Sequence, residues 1–149
     1  MKQVPASLHL TVDEHPSDLD SRVVQDGLLA FNVAVIGEPN EIPIGVFLRG
    51  VNGEVVGGLL GSIKWRWLYV ATFWLPDSVR GQGNGARLLQ AAEDRARQHE
   101  CIGVYLDTFE YQALPFYEKS GYELVGTLEG FPPGYRQFHL QKRLDAAGS

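Results

Sequence analysis

Three glycines within five positions, Gly81, Gly83 and Gly85 in Val79-Arg80-Gly81-Gln82-Gly83-Asn84-Gly85-Ala86, point most directly to chemistry in this chain. Glycine loses more backbone freedom on folding than any other residue, so such a cluster is costly unless a bare backbone is needed. The cluster stands between a strong strand signal and an amphipathic helix signal. A helix N-terminus leaves up to four amides without intrahelical partners and carries roughly half a positive charge, so glycines that admit a ligand there make a phosphate cradle. Arg80 adds a fixed positive charge beside it.

One ligand suited to such a cradle is a dinucleotide. Gly81-x-Gly83-x-x-Ala86 matches the glycine fingerprint formally, and Asp107 follows at about the ~20-residue distance expected of a ribose-binding acid, an NAD-type oxidoreductase pattern. Three features oppose it. Residues 76–80 separate the strand from the first glycine, a helix and several antiparallel strands precede the motif, and the chain after Asp107 is too short for a second mononucleotide half. A phosphate-loop NTPase is excluded, because no Gly-Lys-Ser/Thr follows.

The elements that must position this turn are readable from periodicity and punctuation. Residues 7–12 alternate polar and apolar, as in a half-buried strand. A helix follows, with Ser17 as N-cap, Leu19, Val23, Leu28, Phe31 and Val35 along one face, and Gly37 and Pro39 at its end. Residues 42–48 and 55–65 form strands around the Asn52-Gly53 turn. Residues 67–75, dense in aromatic and β-branched side chains and stopped by Pro76, give the strongest strand signal. A helix over 84–99 places Leu88, Ala92 and Ala96 inward and turns Glu93, Asp94, Arg95 and Arg97 outward. A buried strand (101–108), a short helix (113–119) opened by Pro115 and closed by Gly121, and strands over 122–128 and 136–144 complete an α/β domain with a mixed sheet. The domain covers 1–144, and 145–149 is a frayed tail.

Composition bounds the partners. The 149 residues carry 13 Lys+Arg against 18 Asp+Glu, a net charge of −5 with a pI near 5.3, which gives no overall field for a polyanion and disfavours nucleic acid. The N-terminal residues lack the apolar region of a leader, and no run reaches the ~18 apolar residues of a membrane span, so the expected location is cytoplasmic and no membrane partner is expected. Cys101 is alone, and His9, His15, His99 and His139 have no ligand spacing, so no metal is expected.

Arg80-x-x-Gly83-x-Gly85 resembles the acyl-CoA pyrophosphate signature of the GNAT superfamily of N-acetyltransferases. Phe73-Trp74-Leu75, separated from Arg80 by four residues, has the spacing usual there. Ala113-Leu114-Pro115-Phe116-Tyr117-Glu118-Lys119-Ser120-Gly121-Tyr122 resembles the family's Ala-x-x-x-Tyr-x-Lys-x-Gly-Phe segment. The resemblance covers at least residues 55–144. Asp107-Thr108-Phe109-x-x-Gln112-Ala113 and Phe131-Pro132-Pro133-Gly134 further resemble a bacterial branch with no named acceptor.

The resemblance implies a GNAT-like fold, a mixed, mostly antiparallel sheet with two splayed central parallel strands flanked by helices. It implies acetyl-CoA as cosubstrate in a V-shaped cleft between strands 67–75 and 101–108. Backbone groups around Phe73, Trp74 and Leu75 would bind the pantetheine arm, and Arg80, Gly81, Gln82, Gly83, Asn84, Gly85 and Ala86 the pyrophosphate. Gln112, Phe116 and Lys119 complete the implied cofactor contacts, with Phe116 also suited to plain packing. Tyr117, at the family's tyrosine position, is the implied general acid for the departing thiolate.

An acceptor amine must lose a proton before it attacks. The carboxylate that relatives often carry on the fourth strand is absent from 67–75, which leaves Asp107, Glu110 or a water chain as base. Glu110 also replaces a commonly observed pantetheine-contacting Asn. The implied activity is acetyl transfer to a primary amine by direct attack in a ternary complex; an acetyl-CoA sensor without turnover is the alternative. Asp107, Glu110 and Glu129 hint at a cationic small amine, although the mouth also suits a peptide amine, and Trp65 and Trp67 are wall candidates. A homodimer through the terminal strands is common in the family.

Overall fold

The computed structural model describes residues 7–145, which fall into two compact units divided between Glu38 and Pro39. In the first, α1 spans Asp18–Ile36. Ser17 Oγ accepts the amide of Asp20 at 3.1 Å, satisfying one orphan donor of the first turn. Gly37, at φ 85°, closes the helix, its amide donating to the Val33 carbonyl at 2.9 Å. The helix forms where its caps require, but none of its residues is buried.

The strand expected over 7–12 is absent. Alternation supplies a side-chain face but no hydrogen-bond ladder, and among the described residues no strand pairs with this segment. Leu8, Leu10 and Val12 are exposed. The expectations for 1–6 and 146–149 lie outside the described residues. Asp145 is tied down, its carboxylate 2.9 Å from the Arg143 guanidinium and its amide 3.2 Å from the Ile102 carbonyl.

The second unit contains β1 (Ile42–Arg49), β2 (Val55–Lys64), β3 (Trp67–Trp74), a 3-10 turn (Asp77–Val79), α2 (Asn84–Gln98), β4 (Gly103–Phe109), α3 (Leu114–Lys119), β5 (Glu123–Glu129) and β6 (Arg136–Arg143). The sheet order is β1-β2-β3-β4-β6-β5, and only the β3–β4 pair is parallel. This is an α/β arrangement with a mostly antiparallel mixed sheet, its parallel pair at the centre.

α2 packs on one face of the sheet. Leu88, Ala92 and Ala96 recur every four residues and are buried, and Leu89, Ala92 and Ala96 share a core with Leu59, Leu68, Val104 and Leu140. Removing one such leucine side chain costs roughly 2–5 kcal/mol, because the close-packed site relaxes only in part. Glu93 does not turn outward as its charge suggests. It is 2% exposed, accepts the Tyr122 hydroxyl at 2.8 Å, and pairs with Lys142 Nζ at 2.9 Å. A buried carboxylate survives only with such partners.

Two features of β3 position everything that follows. Its parallel pairing with β4 runs from Trp67–Gly103 to Val70–Leu106 and stops, while β3 continues to Trp74 and β4 to Phe109. On its other edge, Leu60 faces Thr72 but Gly61 faces Val70, leaving Ala71 as the extra residue of a bulge. A bulge bends its strand and increases the local twist, and this one begins at the residue after the last parallel pair. Gly61 is required opposite it, since a Cβ there would collide with the Tyr69 carbonyl oxygen.

Candidate active site

Where β3 and β4 part, a cleft of about 1250 Å³ opens. Along β3 and the residue that follows it the wall is Val70 to Leu75; along β4 it is Asp107, Thr108 and Phe109. Past Val70 the β3 edge that faced β4 has no ladder partner in that strand, so its peptide groups are available to a ligand.

The glycine turn closes one end. Arg80 folds back on the turn: Nε donates to the Leu75 carbonyl at 2.8 Å and Nη1 lies 2.9 Å from Asp77 Oδ1. Asn84 Nδ2 donates to the Val79 carbonyl at 3.0 Å and ties the turn across itself. Gly81 and Gly83 have φ of 75° and 82°, and a Cβ on either would meet no atom within 4 Å. Backbone conformation, not crowding, therefore requires glycine here; an L side chain would cost roughly 1–2 kcal/mol at each. Gly83 is the N-cap of α2 and brings no side chain to its first-turn amides. Gly85 is helical and close-packed, with Phe116 3.4 Å from where its Cβ would stand.

Phe73, Trp74, Leu75, Arg80, Gly81, Gly83, Gly85, Ala86, Gln112, Phe116, Lys119, Tyr117 and Asp107 all line this cleft. Gln82 and Asn84 do not, since both side-chain amides turn back onto the loop, Gln82 reaching the Ser78 carbonyl at 3.4 Å. Gln112 holds the β4 end of the cleft in shape: its Oε1 accepts the Phe109 amide at 2.7 Å and the Thr108 hydroxyl at 3.2 Å.

Tyr117 is 6% exposed, its ring edge-on to Phe73, Phe116 and Tyr122 at centroid distances of 6.3, 5.2 and 5.9 Å. Burial, with the Asp107 charge adding to it, pushes its phenol up to about 12, so it keeps its proton throughout the neutral range. Asp107 lies just beyond the last parallel pair. Its Oδ2 accepts the Tyr69 hydroxyl at 2.9 Å and its Oδ1 accepts Gln137 Nε2 at 3.3 Å.

Glu110 is engaged elsewhere. Its carboxylate takes the Arg136 guanidinium at 2.7 and 3.2 Å and the Arg136 amide at 3.2 Å, and that pairing lowers its pKa. Glu129 faces the same arginine across β5–β6. Of the three acids expected to favour a cation, Glu110 is thus paired with Arg136, Glu129 stands opposite that arginine, and Asp107 alone lines the cleft.

The Glu93–Lys142 pair also lines the cleft and was missed in sequence. A signal existed, because Glu93 follows Leu89 by one helical turn and so falls on the apolar stripe. Burial pushes the Cys101 thiol up. Among the described residues no group of three His, Cys, Asp or Glu could hold a metal ion, and no helix is long and apolar enough to cross a membrane.

The sequence profile of the acetyltransferase (GNAT) family matches residues 9–122. The chain belongs to this family. Among GNAT relatives, it is 36% identical over 122 residues to acetyltransferase Atu2258 of Agrobacterium fabrum, covering 82% of this chain and 89% of that protein. It is 42% identical over 96 residues to the blasticidin-S acetyltransferase of Streptomyces morookaense, covering 64% and 71%. A crystal structure from Agrobacterium tumefaciens, described as an acetyltransferase, superposes with a TM-score of 0.85 at 32% identity, over 91% of this chain and 99% of that one. A Bacillus anthracis protein described as a streptothricin acetyltransferase, solved with acetyl coenzyme A, shares the fold at a TM-score of 0.59 and 23% identity, over 75% and 67%. GNAT membership removes the dinucleotide oxidoreductase reading of the glycine turn.

Proposed function

We propose that this GNAT protein moves an acetyl group from acetyl-CoA to a primary amine by direct attack in a ternary complex. The observation that carries the reading is one continuous cleft, opened by the parting of β3 and β4, with the uncapped glycine turn, Tyr117 and Asp107 all on its walls. The amides of residues 81–86 and Arg80 would hold the pyrophosphate, with free β3 peptide groups near Phe73 and Leu75 along the pantetheine arm. The fold relative from Bacillus anthracis holds acetyl coenzyme A, and the Streptomyces relative is named for blasticidin S, so a small-molecule amine is the favoured acceptor class.

In this reading Asp107 takes the proton of the acceptor ammonium, whose nitrogen then attacks the thioester carbonyl. The C–S bond breaks, the amide forms, and the second proton of the attacking nitrogen passes to the departing sulfur, giving the CoA thiol. A phenol held at about 12 is a weaker acid than a thiol near 8.5, so Tyr117 acts first as a hydrogen-bond donor that stabilises the leaving thiolate. The buried Cys101 does not line the cleft, which favours direct transfer over an acetyl-cysteine route. A cytoplasmic place of action accompanies this use of acetyl-CoA.

Calorimetry tests the reading. Acetyl-CoA should bind the protein, and Gly83→Glu, which sets a carboxylate in the cradle, should abolish binding. No binding, or binding indifferent to Gly83→Glu, overturns it. Release of CoA only when an amine is present separates a transferase from a protein that merely binds the thioester.

A further inference from the structure

Successive strand residues point to opposite faces, so Trp67, Tyr69, Tyr105 and Asp107 lie on the sheet face opposite the buried Leu68, Val70, Val104 and Leu106. On that face is a second pocket, of about 530 Å³. Its walls are aromatic: Tyr69 and Tyr105 stack at 4.8 Å with 30° between planes, and Trp67 meets Tyr105 edge-on at 6.2 Å. His139, the cross-strand partner of Asp107, lines it as well. Asp107 borders both this pocket and the acyl cleft.

We propose that this pocket receives the acceptor, and that it is built for a primary ammonium carried on a flat, unsaturated body. The inference rests on the transferase reading and deepens it. A flat body can lie along the tyrosine and tryptophan rings, where stacking and edge contacts add to simple burial. The ammonium points to Asp107, whose carboxylate offers about four lone-pair sites, two of them used by Tyr69 and Gln137. The lining includes no lysine or arginine. Arg143, 5.9 Å from the Trp67 ring, is occupied by Asp145 at 2.9 Å. The volume lies in the range of small-molecule sites. An amine bound this way stands at the fork where the thioester is presented.

The test is calorimetry on the full chain saturated with CoA, titrated with tryptamine and with n-butylamine, which carry the same ammonium on a flat and on an aliphatic body. Tryptamine should bind about tenfold tighter, within the range that aromatic contacts add. Tyr105→Ala should erase that preference and leave butylamine unchanged, Tyr105→Phe should retain it, and Asp107→Asn should weaken both amines. Equal affinities, no amine binding, or a preference indifferent to Tyr105→Ala overturns the proposal. The prior titration with CoA keeps the two readings apart: failure to bind CoA sinks the transferase reading, whereas CoA binding without amine preference sinks only the acceptor pocket.

Discussion

The hydroxyl of Tyr69 donates to Oδ2 of Asp107 at 2.9 Å, bridging β3 and β4 at the level where their ladder ends. Burial and the neighbouring carboxylate both raise the Tyr69 pKa, so it remains a donor at neutral pH and orients Asp107 at the fork. Asp107→Asn should lower kcat/KM for the amine by about 10²-fold, within the usual range for a lost base, with acetyl-CoA affinity kept. Tyr69→Phe should lower it less, by about tenfold, because the carboxylate stays but loses its orienting bond. Steady-state kinetics beside CoA calorimetry check both, and an unchanged rate in Asp107→Asn would assign deprotonation to solvent.

Tyr117→Phe keeps the ring against Phe73, Phe116 and Tyr122 and deletes only the hydroxyl. We expect kcat to fall roughly 10–10²-fold with CoA affinity and thermal stability nearly unchanged, since the change removes a donor to the leaving sulfur and little packing. Single-turnover rates would show it.

Gly83 offers a separable pair of substitutions. A methyl group there meets nothing within 4 Å, so Gly83→Ala should cost only the backbone strain of φ 82°, about 1–2 kcal/mol, read as a modest drop in Tm. Gly83→Glu should have a similar Tm yet lose acetyl-CoA binding, because the added charge occupies the positive end of α2. Equal CoA affinity in the two variants would contradict the cradle.

Alkaline stability follows from the tyrosines. Burial raises the pKa of Tyr69, Tyr117 and Tyr122 above their unfolded value near 10, Tyr117 to about 12. Below pH 10 the folded and unfolded states both hold these protons. Between about 10 and 12 the folded state binds more of them, so stability is present below that window and declines as pH rises through it. Thermal melts should be level from pH 7 to about 8.5, decline gently as the Cys101 thiol loses its proton in the unfolded chain, and fall steeply above about 10, and Tyr117→Phe should shallow the steep part.

Much of this was legible in the residues, and the exceptions share a cause. Ser17, Gly37, the Asn52-Gly53 turn, Pro76 and Pro115 act through their own backbones or a neighbour three residues away, so helix and strand limits read from them agree with the structure to within one or two residues. The glycine turn is legible for the same reason. Residues 7–12 are misread because a strand depends on a partner that alternation does not reveal. Glu93 and Glu110 are misread because their roles depend on Lys142, Tyr122 and Arg136, which are distant in sequence. The Ala71 bulge carries no composition signal, since it is defined by register against β2.

That bulge makes the working part of the molecule a defect. A sheet whose β3–β4 ladder ran to the ends of both strands would pair more of its backbone and would have no cleft between them. Substitutions selected only for cohesion would tend to heal the fault, so the opening between β3 and β4 persists against the direction in which folding stability alone would drive the chain.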